Sequence, residues 1–380
     1  MPTDLTAYRA EFPITEKYAF LSHAAVSPLS RRAAKAVEAH LELIQTKAFG
    51  DYFGEVFGLQ KDLQQRIVAL INAQGPDEIA LMPNTATGLN TAAASLPLQP
   101  GDNVLVLDGD YPANIYPWLN LAHRGILTKF VPQRNGGLDL ELLKARLDRR
   151  TRVIALSTVI FATGFRNDLA AVGQLCQERG IFFVVDGIQS LGAFPMDVRE
   201  YQIDFLAAGS QKWLLSTPGC GFLYCRRELI EQLAPGAYVG AASVVDPMNY
   251  LDYNFTLAPN ADRFNLGTPN LTGMVALQAT LALLQEIGIE RISQQILLLI
   301  ETLITDLHRR GYQLAASTEL AQRSGIVVAH VEDALAACEK LAKANIIVTP
   351  RGPGVRIAPH FYNTVEEVLR VGEVLGDARP

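Results

Sequence analysis

Residues 203–225 read IDFLAAGSQKWLLSTPGCGFLYC: an apolar run, a single cation at Lys212 in a polar turn, a Pro-Gly turn, and a second apolar run. Runs that are apolar throughout, with no polar alternation, belong to strands covered on both faces. IDFLAA at 203–208 is one such strand. GCGFLYC at 219–225 follows it too closely for a helical crossover, so it is expected to return antiparallel. Lysine is costly to bury. Lys212 is therefore either a solvated loop residue or one committed to a partner, and the rest of the chain has to decide between the two.

Upstream, the same apolar signature recurs at regular intervals. IFFVVD at 181–186 and RVIALS at 152–157 read as buried strands, and VLVLDGDYP at 104–112 reads as a strand delivering a loop. Helical spacing fills 168–178 and 139–148 between them, and 30–48 (behind Ser30), 58–73 and 84–96 before them. Strands alternating with helices predict a mainly parallel sheet with helices on both faces. Downstream, 232–270 lacks periodicity and holds Pro235, Pro247, Pro259 and Pro269, which reads as an ordered functional excursion. Residues 271–310 read as helix. Short strands GIVVAHV at 325–331 and NIIVTPR at 345–351, separated by a helix, predict a smaller α/β domain. No 20–50-residue repeat argues for a solenoid.

Composition narrows the partners. A chain of 380 residues, 49% hydrophobic and 19% charged, can build a substantial core and more than one domain. Its formal charge of -6, with no basic block, gives nucleic acid no support as a partner and leaves small ligands open. Cys176, Cys220, Cys225 and Cys338 are sparse and irregularly spaced, as in a reducing compartment, and make no metal-site pattern. MPTDLTAYRAEFPITEKYAF at the start has no apolar core of a secretory signal, and no run is long and apolar enough to span a bilayer. A cytoplasmic protein without membrane partners is expected.

Open α/β sheets bind ligands at the ends of their strands. Asp186 ends IFFVVD, where a carboxylate is expensive unless a cation or donor meets it. It either caps the following turn or pairs with the protonated ring nitrogen of a pyridine cofactor. Thr85, Ala86 and Thr87 open a helix and present unpaired N–H groups and hydroxyls to an anion, although capping needs only one of those hydroxyls.

Seven segments then stand in collinear order: FLSHAAVSPLS at 20–30, NTATGLN at 84–90, DYPANIYPW at 110–118, VDGIQSLGAF at 185–194, GSQKWLLSTPGCGFLY at 209–224, RFNLGTPN at 263–270 and VRIAPHFYNT at 355–364. Together they resemble the class V aminotransferases of fold-type I, the pyridoxal-phosphate-dependent group that includes cysteine desulfurases, isopenicillin-N-epimerase-like proteins and C–S lyases. The resemblance implies a seven-stranded, mainly parallel sheet covered by helices, with residues 1–25 as an N-terminal segment near the site and the small domain, 26–265 as the cofactor domain and 266–380 as the small C-terminal α/β domain. It makes Lys212 the lysine that carries pyridoxal 5'-phosphate. Asp186 becomes the partner of the ring nitrogen, Gln189 a hydrogen bonder near the ring hydroxyl, and Tyr111 the ring stacked on the pyridine. The phosphate falls to Thr85, Ala86, Ser210 and Gln211, with Thr268 reaching the phosphate of a neighbouring copy in a homodimer. Arg356 is implied to clamp the substrate carboxylate. Arg351 is a second candidate for it or for a distal carboxylate, and His23 and His360 are placed at the entrance. Asn114 is expected to support its loop.

Departures from the resemblance bear on the reaction. Tyr111 and Gln211 stand where desulfurase-like relatives have histidine, and Phe161 stands where many have asparagine. Residues 345–364 contain no cysteine to collect sulfur; Cys338 falls in an expected helix, and Cys220 and Cys225 flank a strand. The expected reaction is β-elimination from a small cysteine- or cystine-like amino acid. Transamination to an oxoacid and epimerisation are the alternatives, and an inactive cofactor-binding protein is the alternative outside enzymes.

Overall fold

The computed structural model describes residues 5–47, 49–233, 238–316 and 318–378. Pro235 and residues 1–4 of the expected N-terminal segment lie outside them. After a two-residue β1 (Ala19–Phe20), seven strands make the main sheet: β2 (Ile79–Met82), β3 (Asn103–Leu107), β4 (Leu127–Val131), β5 (Thr151–Ser157), β6 (Phe182–Asp186), β7 (Phe205–Gly209) and β8 (Gly221–Cys225). Their spatial order is β2-β8-β7-β6-β5-β3-β4. β4, β3, β5, β6 and β7 are parallel neighbours, while β8 runs antiparallel to both β7 and β2, the return expected of GFLYC.

Burial explains which strands the pattern reveals. β3, β7 and β8 are buried at every position. In β5, Val153 and Ala155 pack on one face of the sheet and Ile154 and Leu156 on the other, so the middle of the strand, VIAL, must be apolar on both faces. β4, LTKFV, is one of two edge strands and keeps exposed residues, so its mixed composition conceals it in the sequence, whereas the other edge strand, β2, is mostly buried.

Helices α1 (Arg31–Thr46), α2 (Phe49–Ile71), α3 (Thr85–Ser95), α4 (Tyr116–Asn120), α5 (Leu140–Arg146), α6 (Leu169–Arg179) and α7 (Arg227–Ile230) connect and flank these strands. Their starts are chemically specified: the side chains of Ser30, Asn84, Asp139 and Asp168 each accept a backbone N–H of the first turn. The helical reading of 271–310 divides into α8 (Leu271–Ile287) and α9 (Ile289–Arg309), bent by 79° at Gly288, whose φ of +89° suits glycine. α8 packs on α1 and α2.

The remaining elements are β9 (Val327–His330), α10 (Ala334–Lys343), β10 (Ile346–Ile347), β11 (Thr349–Arg351), β12 (Gly354–Ile357) and α11 (Val365–Leu375). α9 packs against β9 and α11. NIIVTPR is thus two short strands, and β11, β12 and β9 form an antiparallel sheet in that order. β1 pairs in parallel with β10 through Ala19 and Ile346, and Ser22 bridges Ala358, so the amino-terminal segment is stitched to the carboxy-terminal sheet. Among the described residues no single helix is long and apolar enough to cross a membrane, and no cluster of three His, Cys, Asp or Glu side chains could hold a metal ion.

Candidate active site

Parallel register gathers the polar residues. Ser157 ends β5 directly beside Asp186 at the end of β6, and Asp186 lies beside Ala207 of β7, whose last residue precedes Ser210 by one position. Asp186 is 1% exposed, and Ile188 N–H donates to its Oδ1 at 2.9 Å. Its other oxygen accepts no hydrogen bond among the described residues. Burial pushes this carboxyl up to about 7, opposed by the Ile188 N–H; the charge of Asp110 adds to the rise and Lys212 counters it. A buried carboxylate with an open oxygen calls for a cationic N–H donor.

Lys212 lies in the turn between β7 and β8, partly buried, with Nζ 5.5 Å from the centroid of the Tyr111 ring. Burial pushes its ammonium down to about 8; Asp186 resists, and Arg356 and Arg351 add to the depression. Among the described residues its amine makes no ion pair. Tyr111, 42% exposed, meets Phe161 edge to face at 5.1 Å.

Asp110 carries no weight in the sequence reading beyond its motif, yet it organises this corner. Buried, it accepts from Ser157 Oγ at 2.6 Å, Ser157 N at 3.0 Å, Asn114 Nδ2 at 3.0 Å and Tyr111 N at 2.7 Å. It ties the Tyr111 loop to the end of β5, with Asn114 in the supporting part expected of it. An acidic residue just past the apolar run VLVL was the available signal, the same one that singles out Asp186.

At the start of α3, Thr85 Oγ accepts from Gly209 N–H at 2.8 Å and keeps its own proton to donate, while Ala86 is the next residue of the same first turn. The Gln211 side chain lies over Gly209, where a Cβ would stand 2.5 Å from its Oε1. The first turn of α3 thus adjoins the end of β7, with the Thr85 hydroxyl and Gly209 between them. The N–H of Ser210 donates to Cys220 O, and its hydroxyl faces the carbonyls of Thr217 and Cys220 at 2.9 and 2.8 Å, so both donors close the turn. Gln189 accepts from Trp213 Nε1 at 2.9 Å and donates to Ala24 O at 3.1 Å, which leaves one amide N–H. Thr268 is exposed.

The carboxy-terminal sheet supplies the opposite wall. Arg356 is 2% exposed, yet its guanidinium has only Phe161 O at 3.2 Å and Thr349 Oγ at 3.3 Å and no carboxylate among the described residues. Burial lowers it to about 10, Arg351 pushes the same way, and Tyr111 opposes. Arg351 stacks over Phe161 at 5.3 Å, and its buried Nε has no partner. Phe161 thus contacts Tyr111, Arg351 and Arg356 together.

The two histidines are not at an entrance. His23 is fully buried; its Nδ1 donates to Ala358 O at 2.8 Å, so its Nε2 accepts from Tyr362 Oη at 2.6 Å. His360 is equally buried; its Nδ1 accepts from Phe361 N–H at 2.8 Å, so its Nε2–H donates to Trp213 O at 3.1 Å. Burial lowers both rings toward the neutral form, and each ring nitrogen is engaged with the protein. All four cysteines are unpaired, and burial holds Cys176 and Cys225 far above the usual thiol range and Cys220 at about 12, so none of these three is a ready thiolate.

The model of the aminotransferase class-V family matches residues 20–373. An uncharacterized aminotransferase, YcbU, of Bacillus subtilis is 31% identical over 95% of this chain and 94% of its own. A probable cysteine desulfurase of Methanothermobacter thermautotrophicus is 26% identical over 97% of this chain and 96% of its own. The fold also matches the cystine C–S lyase C-DES in complex with its reaction product cysteine persulfide, with a TM-score of 0.87 and 24% identity over 97% of this chain and all of that one.

Proposed function

The chain belongs to the class V aminotransferase family of pyridoxal-phosphate-dependent enzymes, and on that premise we propose that it cleaves the Cβ–S bond of a cystine-like amino acid by β-elimination. The observation that carries the reading is the buried Arg356 guanidinium with no acidic partner among the described residues, a few residues from a second open arginine and facing the same site as Lys212. Such a group is stable only if an anion completes it, and a bidentate fork selects a carboxylate.

The residues present fit the cofactor. Asp186 has an open oxygen for a protonated ring nitrogen, Thr85, Ala86 and Gln211 border an anion site, and Lys212 has an amine lowered to about 8 for attachment. Tyr111 would cover the ring and Gln189 would offer its remaining N–H. Pyridoxal 5'-phosphate, when bound, supplies the sink for the electron pair left at Cα. Arg356 holds the α-carboxylate and so orients the amino acid. Lys212 takes the Cα proton on Nζ. The Cβ–S pair departs on sulfur, and water releases the three-carbon fragment: cystine plus water gives pyruvate, ammonia and cysteine persulfide, with no external oxidant. Arg351 fits the distal carboxylate of such a substrate. Because residues 345–364 hold no cysteine, sulfur leaves on the substrate fragment.

Transamination is the second reading, favoured by the name of the Bacillus subtilis relative. The exposed Thr268 and the exposed apolar residues Tyr250, Leu251, Tyr253 and Phe255 of the nearby excursion support a homodimer, and the four unpaired cysteines support the cytoplasm. Purified holoenzyme given cystine, cysteine, alanine, serine, or amino acids with oxoacids tests the reaction. Pyruvate formed with persulfide or sulfide, without an added acceptor, is the expected result. Acceptor-dependent formation of new amino acids with no sulfur release overturns elimination in favour of transamination.

A further inference from the structure

Three consecutive carbonyls around Lys212 are each held from outside their own turn. Ser27 N–H donates to Gln211 O at 2.8 Å, Ser27 Oγ donates to Lys212 O at 2.6 Å, and His360 Nε2–H donates to Trp213 O at 3.1 Å. Ser27 comes from the stretch that leads from β1 into α1 and His360 from the segment that leaves β12, four residues after Arg356. The two chain ends are themselves joined: His23 binds both Ala358 and Tyr362, Phe12 stacks on Tyr362 at 3.9 Å, and Arg9 pairs with Glu367 at 2.6 Å.

The turn requires such a hold. Leu215, three residues after Lys212, is fully buried with φ of +56°, a conformation that is strained for a leucine and persists only where the surroundings impose it. Trp213 is fixed further by its indole N–H on Gln189 and by two close glycines. A Cβ at Gly192 would stand 2.2 Å from the Trp213 carbonyl, and one at Gly325 would stand 2.3 Å from the Trp213 ring. The Trp213 carbonyl therefore has little room to move unless His360 releases it.

We propose that His360 and Ser27 are positioning residues that set the Lys212 amine by gripping the backbone carbonyls of residues 211–213, and that His360 links this grip to the Arg356 strand. Neither touches substrate. The pair acts through the backbone, so that the carboxylate clamp and the lysine are placed by one continuous segment. This rests on Lys212 being the cofactor lysine.

The test uses the holoenzyme and begins with borohydride reduction and peptide mapping of the wild type; label on another lysine defeats the Lys212 reading itself, apart from anything His360 does. The variants are then His360→Gln, His360→Asn and Ser27→Ala. A glutamine amide reaches where Nε2 stands and an asparagine amide does not. The readouts are the pH at which the visible cofactor band titrates, and kcat and KM measured separately. For His360→Asn the band is expected to move by about half a pH unit or more, and kcat to fall about 10- to 100-fold with a smaller change in KM. His360→Gln restores both, and Ser27→Ala gives a smaller change of the same sign. A merely structural role lowers the melting temperature and leaves the band in place. Folded His360→Asn with an unmoved band and unchanged kcat overturns the proposal. Should His360→Asn not fold, an unmoved band in Ser27→Ala overturns it equally.

Discussion

Asp110 and Asp186 are both buried carboxylates at or just past the ends of parallel strands of the same sheet, yet one accepts four hydrogen bonds from the protein and the other accepts one. The difference separates two uses of a costly residue. A saturated carboxylate repays its desolvation inside the fold and holds neighbours in place, as Asp110 holds the Tyr111 loop. An unsaturated one keeps a lone pair for a ligand. The same contrast divides the cations and rings: His23 and His360 are spent on carbonyls and a tyrosine, whereas Arg356 and Arg351 lack acidic partners among the described residues.

The contrast is tested most severely at Asp186. Asp186→Asn should lower kcat about 10²- to 10³-fold at equal cofactor occupancy, because a neutral amide no longer holds the proton on the cofactor ring. In the cofactor-free protein the same change should raise stability at pH 8. The sign follows from a folded pKa raised to about 7: the native state retains a proton that the unfolded state loses, so wild-type stability falls as pH rises from about 4 to 7, and asparagine removes that loss. Melting curves of both apoproteins at pH 5 and pH 8 check it, and equal differences at the two values would break the comparison.

Arg356→Lys comes next. An ammonium cannot reproduce the fork, and kcat/KM for the amino acid is expected to fall about 10²-fold, while Tm changes little because no internal ion pair is lost. Asp110→Asn should instead show itself in stability. It turns one carboxylate oxygen into an amide donor facing N–H and O–H donors, and unfolding in denaturant should register a loss of about 1–3 kcal/mol. If Asp110→Asn spared stability and abolished turnover, saturation would not distinguish the two aspartates.

The smallest effect expected is the acid limb at His360. Burial lowers its ring to about 4, so the neutral form is favoured by the fold and its contribution is complete above about 6.5 and lost as pH falls toward 4. His360→Gln cannot charge, so its Tm should decline less than that of the wild type between pH 6.5 and 4, with His23 still titrating. Parallel Tm curves for the two proteins would contradict the buried neutral ring.

Much of this was legible in the sequence, for reasons that differ by element. β3, β5, β6 and β7 are covered on both faces, so the middles of their sequences are apolar runs, and the closeness of GFLYC to the preceding strand forces an antiparallel return. The edge strand β4 escaped because exposure removes that signal. Lys212 and Asp186 stood out because their neighbours are apolar and they are not. The hydrogen bonds of Ser210, His23 and His360 were not legible, because type and motif position say nothing about whether a hydrogen bond is already taken.

Local composition thus determined the strand and helix alternation, the strand-end position of Asp186 and the isolation of Lys212 between two buried strands, since burial and backbone preference act on a few neighbouring residues at a time. Tertiary structure alone decided which polar groups are spent and which stay open. Asp110 meets Ser157 across 47 positions, His360 meets Trp213 across 147, and Ser27 meets Lys212 across 185. Hydrogen bonds act over about 3 Å, and only the closed fold brings such distant residues within that reach.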